Sequence, residues 1–347
     1  MDQPRKESDT SSKGPINRRT FLALLSAGGA TLLGLAAMQT LLPKVSDTRS
    51  IVTSGSTSPS TSAVRSDSRK PIVVLVRGIS STNRQTLVDR ALDSLGGLEK
   101  LAPAQSSIFV KPNVGFYEKD AVTDPEITAA VVEALKRVKP SGIIVGESSV
   151  RGNDTEHALR ESGTRALERD GVQVRDLHKD SVITVSIPQG RAIKSVGVFK
   201  SARECTYFVS IPRLKRHSAT TVTMALKNMM GVISDSEKGR FHQLDLNQCI
   251  ADLNSTVSPN LVIIDATKAM TKRGPTGGIM VPLNMVIAST DPVAADLVAA
   301  EELFKAEGIA DSRDQTRRIE HIQKAAQMGI GVADRSSIEV VDISLTE

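Results

Sequence analysis

The sequence predicts an α/β fold: a doubly wound, mostly parallel sheet with helices on both faces and a small antiparallel insertion. From residue 71 onward, short apolar runs alternate with helical patterns. Runs such as Gly142–Gly146 are apolar at nearly every position, which is typical of parallel strands buried on both faces. Residues 181–200 contain two short strand-like segments, which predict the antiparallel insertion.

The elements follow from these patterns in chain order. Strands are predicted at Ile72–Val76, Ser107–Lys111, Gly142–Gly146, Val172–Asp176, Thr206–Ile211, Leu261–Asp265, Asn284–Ser289 and Ile338–Ile343. Helices are predicted at Asn83–Leu95, Asp124–Val138, Asp154–Arg169, Thr220–Met230, Leu244–Val257, Asp291–Lys305 and Arg313–Met328. Asp124 and Asp291 are predicted N-caps, because each precedes a proline at the first helical position.

The N-terminal region predicts export. Arg18 and Arg19 precede an uncharged apolar segment at residues 20–42, a pattern typical of a twin-arginine signal. The signal implies the Tat translocase as a partner and a folded protein that works in the periplasm or at the cell surface. The segment is about long enough to span a bilayer, so cleavage and retention as a membrane anchor both stay open. Residues 43–70, rich in Ser and Thr, predict a flexible tether, and residues 71–347 form the predicted α/β domain.

Composition excludes several functional classes. Ten of the 44 basic and five of the 39 acidic residues lie in residues 1–70, which leaves 34 of each in residues 71–347. Without a basic field or any Trp, nucleic-acid binding is not expected. Cys205 and Cys249 are the only cysteines, so an iron–sulfur cluster and a Cys-zinc site are excluded. The two cysteines are expected to be buried free thiols, with a disulfide after export as the alternative.

Polar residues follow the predicted strands, where parallel α/β sheets bind ligands. They are Lys111, Asn113, Glu147, Ser148, Ser149, Arg213, Lys215, His217, Asp265 and Lys268. For any one of them, the alternative is a strand end that meets water. Glu147 and Asp265 both end apolar strands and are candidate ligands for a divalent metal ion such as Mg²⁺.

The segment Ile211–Ser218 carries the densest positive charge. If it is extended, Arg213, Lys215 and His217 share one face because strand side chains alternate. Two cations and an imidazole suit a carboxylate or phosphate, with His217 as proton donor or acceptor. The alternative is an exposed basic loop.

Further candidates lie C-terminal to this segment. Lys227, followed by Asn228, sits among apolar residues, where a lysine either extends to solvent or is held inward by a ligand. Lys238 and His242 are predicted in a loop that could act as a lid. Gly274 and Gly277 lie in a glycine-rich turn whose backbone could bind an anion, although a plain turn is as consistent with the sequence.

Other motifs carry little functional information. The glycine-rich turn lacks the Walker ending, no dinucleotide fingerprint follows Gly142–Gly146, and no nucleophile elbow occurs. Asp296 falls inside an Ala-rich predicted helix, where a buried carboxylate needs a partner.

Several short motifs of the chain, in the order in which they occur, resemble those of the bacterial and archaeal domain of unknown function numbered 362. The resemblance covers most of residues 72–300. The resemblance rests on Val110–Asn113, Val145–Ser148, Ile211–His217, Leu226–Gly231, Gly274-Pro275 and Asp291–Asp296. Many members of the family carry a ferredoxin-like cysteine cluster, which implies redox work. Because this chain has only Cys205 and Cys249, that implication does not extend to it.

These observations predict an exported enzyme that binds an anionic small molecule. Lys111, Asn113, Arg213, Asn228, Lys238, His242, Gly274 and Gly277 are the predicted substrate ligands, and His217, Lys215 and Lys227 the catalytic residues. One alternative is a noncatalytic extracytoplasmic anion-binding protein. Another is a maturation factor for an exported metalloenzyme.

Overall fold

The computed structural model describes residues 70–346, so the predicted export signal and nearly all of the predicted tether lie outside the described residues. Within that range, no helix combines the length and apolar character that crossing a membrane requires. The strands are β1 (Ile72–Arg77), β2 (Ser107–Pro112), β3 (Gly142–Glu147), β4 (Val172–Asp176), β5 (Val182–Ser186), β6 (Ser195–Phe199), β7 (Tyr207–Ile211), β8 (Arg213–His217), β9 (Thr221–Val222), β10 (Leu261–Thr271), β11 (Ile279–Ser289) and β12 (Glu339–Ser344).

The helices alternate with these strands for much of the chain. They are α1 (Arg84–Ser94), α2 (Leu98–Leu101), α3 (Pro125–Lys136), α4 (Thr155–Glu161), α5 (Lys200–Glu204), α6 (Met224–Asn228), α7 (Asp235–Gln243), α8 (Leu246–Asn254), α9 (Pro292–Ala306), α10 (Ser312–Thr316) and α11 (Glu320–Gln327). Short 3₁₀ segments lie at Lys119–Ala121, Thr164–Leu167, Leu177–Lys179, Met229–Val232 and Arg335–Ser337.

The central sheet is mostly parallel, as predicted. Its strands lie in the order β12-β1-β11-β10-β7-β2-β3-β4, with β8 paired to β10 and β9 to β8. Along this order only the pairings of β11 are antiparallel. The small β5–β6 pair is antiparallel, which confirms the predicted insertion. The carboxyl ends of β2, β3, β7 and β10 therefore meet at one edge of the sheet.

Helices cover both faces of the sheet. In β1, Val73 and Leu75 belong to one hydrophobic core, and Val74 and Val76 belong to another. This is the alternation expected of a strand buried on both sides. The first core includes apolar residues of α6, α8, α9 and α11, and the second includes those of α1, α3 and α4.

The predicted helix starts are confirmed where an aspartate precedes a proline. The Asp124 side chain accepts from the Glu126 N–H over 2.9 Å, and Pro125 begins α3. Asp291 Oδ1 accepts from the N–H groups of Val293 and Ala294, both over 2.9 Å, at the start of α9. Each carboxylate satisfies backbone donors that have no partner inside the helix.

The prediction of a loop around Lys238 and His242 is wrong. Both residues lie in α7. The Ser234 hydroxyl accepts from the Glu237 N–H over 3.5 Å. Ser followed three residues later by Glu is the sequence pattern of a capping box, which the prediction overlooked.

Other element boundaries also differ from the prediction. The helix predicted from Thr220 begins only at Met224, because Thr221 and Val222 pair with β8. The helix predicted over residues 154–169 stops before Gly163, whose φ of 79° is left-handed, and the one predicted over residues 313–328 divides into α10 and α11. Strands β10 and β11 are longer than predicted and form an antiparallel pair that encloses the glycine-rich turn.

Candidate anion-binding site

A buried ion pair joins the ends of two neighbouring strands. Lys111 of β2 is fully buried, Glu147 of β3 nearly so, and Lys111 Nζ donates to Glu147 Oε2 over 2.7 Å. The Val114 N–H donates to the same oxygen over 2.7 Å. Asn228 of α6 accepts from Lys111 Nζ over 3.3 Å and donates to the Lys111 carbonyl over 2.9 Å. The pair therefore ties two strands, a loop and a helix together.

Gly231 explains the spacing of the Lys-Asn-x-x-Gly motif at residues 227–231. A Cβ added to Gly231 would overlap Glu147 Oε1 and lie 2.6 Å from Lys111 Nζ. The backbone thus passes directly over the ion pair that Asn228 also contacts. Only glycine fits this close approach.

A second buried ion pair joins Arg213 of β8 to Asp265 of β10, two residues that face each other in register. Asp265 also accepts from the Asp124 N–H over 2.8 Å and from the Thr267 hydroxyl over 2.7 Å. Burial alone would raise the pKa of Asp265, but Arg213 and these hydrogen bonds outweigh burial and lower it. Asp265 is therefore held as a carboxylate.

The two predicted metal ligands thus bind different cations of the protein. Glu147 binds Lys111, whereas Asp265 binds Arg213. Within residues 70–346, no group of three or more His, Cys, Asp or Glu side chains could hold a metal ion. The arrangement is that of two internal ion pairs, and the shared divalent cation stays a prediction.

Lys238 is also occupied by the protein. Its Nζ donates to the carbonyls of Ser148 and Ser149 over 3.0 and 2.6 Å and to Asp235 Oδ1 over 3.0 Å. Burial lowers the pKa of Lys238, and Asp235 partly offsets this. Lys238 therefore fastens the chain after β3 to α7. We refer to Lys111, Arg213 and Lys238 together as the paired cations.

Lys215 has a different environment, although it is also buried. Its Nζ donates to the Ala121 carbonyl over 2.6 Å and lies 5.0 Å from the centre of the Phe116 ring. Among the described residues, no carboxylate comes within ion-pair distance of it. Burial, then the positive charges of Lys227 and Arg213, hold the pKa of Lys215 well below its ordinary value.

Lys227 of α6 is half-buried, and its Nζ has no hydrogen-bond or ion-pair partner within residues 70–346. Burial lowers its pKa to about 8. An amine with such a pKa is partly uncharged near neutral pH, which an ordinary lysine is not. Lys227 is therefore both basic and nucleophilic.

His217 is half-buried beside these lysines. Its Nδ1 accepts from the Ala219 N–H over 3.1 Å, which assigns the proton of the neutral ring to Nε2. Burial, with the positive charges of Lys227 and Lys215, lowers the pKa of His217 to about 2. In this arrangement His217 offers an N–H donor, and its predicted catalytic role stays a prediction.

His242 lies near the C-terminal end of α7, where it is exposed. Partial burial, followed by the charges of Lys227 and Arg151, lowers the pKa of His242. We refer to Lys215, His217, Lys227 and His242 together as the open cluster. All four were predicted from the sequence as site residues. The positive charge of Lys227 lowers the pKa values of the other three.

His321 of α11 is a neighbour that the sequence reasoning missed. It is fully buried, and neither ring nitrogen has a partner among the described residues. Burial and the charge of Lys227 lower its pKa to about 3. His321 shares the buried face of α11 with Ala325, one helical turn later. This helical spacing is the one feature of the sequence that indicates burial of His321.

Further buried polar atoms near the open cluster lack partners in the described part of the chain. Thr223 Oγ1 is one of them, and the Thr223 N–H donates to the Lys215 carbonyl over 3.0 Å. Asn113 Oδ1 is another, while Asn113 Nδ2 lies 3.4 Å from Asn228 Oδ1. Such atoms are uncommon in a folded interior and often mark a ligand or water position.

The start of α6, which carries Lys227, is fixed from another helix. Asp296 of α9 is fully buried and accepts from the N–H groups of Ala225 and Leu226 over 2.6 and 2.9 Å. Burial raises the pKa of Asp296 to about 8. Thr221 and Met224 have φ angles of 67° and 41°, so the entry into α6 is strained. This confirms that Asp296 needs a partner, and the partner is the helix terminus.

The glycine-rich turn packs against the end of β8. The Ser218 N–H donates to the Gly274 carbonyl over 3.1 Å, and a Cβ on Gly274 would overlap the Arg216 carbonyl. Gly277 has a φ of 66°, which favours glycine. The turn is thus adjacent to the His217 segment, and anion binding by its backbone stays a prediction.

The cysteines lie apart from these groups. Cys205 is half-buried, Cys249 is buried, and both are free thiols. Burial raises the pKa of Cys205 to about 12 and that of Cys249 to about 11, so neither is a reactive thiolate near neutral pH.

Comparison with known proteins places the site within a recognised sequence family. The family described as "Domain of unknown function (DUF362)" matches residues 108–301. The chain is 24% identical over 223 residues to the thylakoid-associated protein sll1697 of Synechocystis sp., covering 61% of this chain and 67% of that protein. The structure of the lactate racemase apoprotein from Thermoanaerobacterium thermosaccharolyticum is similar with a TM-score of 0.42 and 16% identity. That similarity covers 66% of this chain and 57% of the racemase chain, so the chain spans little more than half of it.

Proposed function

We propose that this chain, which belongs to the DUF362 family, binds a small anionic molecule, a carboxylate or a phosphate, at the open cluster. One observation carries the proposal: Lys215, His217, Lys227 and His242 gather without a carboxylate in ion-pair distance among the described residues. The paired cations at the same edge of the sheet each bind an aspartate or glutamate.

The electrostatics support an anion as the missing partner. Burial of a cation without a counter-charge is unfavourable, and like charges nearby add to the cost. Glu147 and Glu118 raise the pKa of Lys215 from a longer range, but not enough to offset burial and its cationic neighbours. A bound anion would cancel part of this positive field. It would therefore raise the pKa values of Lys227, Lys215 and His217 when it binds.

The ligand contacts differ from those expected from the sequence alone. Lys111, Arg213 and Lys238 are predicted substrate ligands, but each already pairs with a carboxylate of the protein. We assign them to the framework of the site. The direct contacts fall to Lys227 and to the Nε2–H of His217, with Lys215 acting through its charge. His242, at the exposed rim, completes the open cluster.

We further propose that the chain is an enzyme in which Lys227 moves the proton. Its lowered pKa, about 8, supports a base that accepts a proton near neutral pH. The noncatalytic binding protein shares the same cations and needs no such base. Turnover that is lost in a Lys227→Met protein that still folds would favour the enzyme, whereas binding without turnover would favour the binding protein.

Calorimetric titration tests anion binding directly. Phosphate, citrate and pyruvate would be titrated into the full protein and into the Lys227→Met variant, with Lys268→Met as a matched control because Lys268 is exposed in β10. We expect at least one of these anions to bind, more weakly at higher ionic strength. Lys227→Met should weaken binding by roughly tenfold or more, about 1.4 kcal/mol. Equal affinities of the variant and the wild-type protein would contradict the proposal.

We also propose that the chain works outside the cytoplasm after twin-arginine export. The support is the Arg18-Arg19 pair and a relative whose name describes it as thylakoid-associated. Replacement of Arg18 and Arg19 by lysine should block export of the tagged chain in its host, which cell fractionation would measure. Normal export of the double variant would refute the proposal, and the mass of the exported chain would distinguish a cleaved signal from a retained anchor.

A further inference from the structure

We propose that Lys227 forms a reversible imine with the carbonyl carbon of a small 2-oxo acid, whose carboxylate is held by the rest of the open cluster. This inference rests on the proposed anion-binding function and names a substrate class for it. The class follows from two adjacent features of the site, an amine without a partner and an unbalanced set of cations. A 2-oxo acid places a carbonyl next to a carboxylate and matches both.

Lys227 is the lysine of this region whose amine is free to react. Lys111 Nζ is bonded to Glu147 and to the Pro112 carbonyl, each over 2.7 Å. Lys215 Nζ is bonded to the Ala121 carbonyl, and Lys238 Nζ to two carbonyls and Asp235. Each of these three amines therefore has a hydrogen-bond acceptor within the protein. Lys227 is half-buried and has no such partner among residues 70–346.

The surroundings favour the uncharged amine that attack requires. No carboxylate lies within ion-pair distance of Lys227 among the described residues, so no negative charge there holds the amine in its protonated form. Burial lowers the pKa of Lys227 to about 8, so about a tenth of the amine is uncharged at pH 7. Desolvation is an established means of activating a lysine for imine formation.

The amine is also held in place. The short helix α6 carries Lys227, and Asp296 binds the N–H groups of Ala225 and Leu226 at its start. Asn228, the next residue, is bonded to Lys111 and to Ser210. The backbone on both sides of Lys227 is therefore anchored to buried groups. A fixed nucleophile needs less ordering when the substrate binds.

The reaction balances without an external co-reactant. The lone pair of Lys227 Nζ attacks the carbonyl carbon, and the π electrons of the carbonyl move to its oxygen, which takes up a proton from the amine. The resulting carbinolamine loses its hydroxyl, together with the second amine proton, as water. A carbon–nitrogen double bond replaces the carbon–oxygen double bond, with no change in oxidation state. The Nε2–H of the neutral His217 ring is a donor for the departing oxygen.

Reductive trapping tests the inference. The full protein would be incubated with pyruvate or glyoxylate and sodium cyanoborohydride, and the modified lysines located by peptide mass spectrometry. We expect modification at Lys227 to exceed that at the exposed lysines Lys268 and Lys272 by at least about tenfold, the factor that 1.4 kcal/mol represents. Trapping should increase as the pH rises toward about 8, because the amine then loses its proton.

Lys227→Arg provides the matched variant, because it keeps the positive charge and removes the nucleophile. We expect it to show no trapping at position 227, whereas the wild-type protein is trapped there and binds lactate, which has a carboxylate but no ketone or aldehyde carbonyl, in calorimetric titration. If the lysines are trapped evenly over the exposed surface, or if Lys227 is not trapped at all, the imine proposal is wrong. Binding of lactate by the wild-type protein would still support the proposed anion binding in that case. Failure of the wild-type protein to bind lactate, pyruvate, phosphate or citrate would instead overturn the proposed function as well.

Discussion

The paired cations and the open cluster occupy the same edge of the sheet but meet different partners. Lys111, Arg213 and Lys238 each reach a carboxylate, and their remaining contacts include backbone carbonyls or polar side chains. Lys227 reaches none among the described residues, and Lys215 reaches only a carbonyl and an aromatic ring. The paired cations thus form ion pairs within the protein. Lys227, which has no such partner among the described residues, is available to a ligand.

The contrast has a physical consequence for stability. Removal of one member of a buried ion pair leaves the other charge uncompensated, which is strongly unfavourable. Removal of a cation that has no partner leaves no charge behind and relieves repulsion from its neighbours. The same substitution at Lys111 and at Lys227 should therefore have very different effects.

The largest expected difference is between Lys111→Met and Lys227→Met. Lys111→Met leaves Glu147 buried without its cation and should lower the free energy of unfolding by about 3–5 kcal/mol. Lys227→Met should change it by less than about 1 kcal/mol, because no partner is left unpaired. Urea denaturation of both variants would measure the difference. Similar losses in the two variants would show that the open cluster is also part of the framework.

The second prediction concerns acid stability and His321. Its pKa falls from 6.5 to about 3 on folding, so below pH 6.5 the unfolded chain binds a proton more readily than the folded protein. Stability that is complete above about pH 6.5 is therefore lost as the pH falls toward 3. By about pH 4 the free energy of unfolding should have fallen by about 3 kcal/mol, at about 1.36 kcal/mol per pH unit.

His321→Leu should remove this part of the acid sensitivity, because leucine cannot bind a proton. It should cost little at neutral pH, since neither ring nitrogen of His321 has a partner to lose among the described residues. Unfolding free energies measured from about pH 7 to pH 4 would compare the slopes of the variant and the wild-type protein. An unchanged slope would contradict the assignment.

The smallest expected effect tests the close packing over the Lys111–Glu147 pair. Gly231→Ala places a methyl group against Glu147 Oε1 and Lys111 and should cost about 1–3 kcal/mol. Gly142→Ala is the control, since a Cβ there meets no atom within 4 Å and its φ is not left-handed. It should change stability by no more than about 0.5 kcal/mol. Equal effects at the two glycines in thermal unfolding would show that the ion pair tolerates displacement.

Sequence reasoning succeeded where the information is local. The apolar runs located β2 and β3, which carry Lys111 and Glu147, and Asp-Pro pairs located the starts of α3 and α9. It failed at α7, where a capping box was read as a loop. It also missed Gly163, which ends a helix that the apolar pattern alone would continue.

By itself the sequence determined that cations and carboxylates follow the apolar strands. This information is local, because the residues of one strand and those that follow it are neighbours in the chain. Only the tertiary structure decided which of them pair. Lys111 and Glu147 are 36 residues apart, and Arg213 and Asp265 are 52 apart, so their pairing depends on the order of strands in the sheet. His321 comes near Lys227 in the same way, through helices on one face of that sheet. Strand order is a nonlocal outcome of packing, and it leaves Lys227 without a carboxylate partner among the described residues.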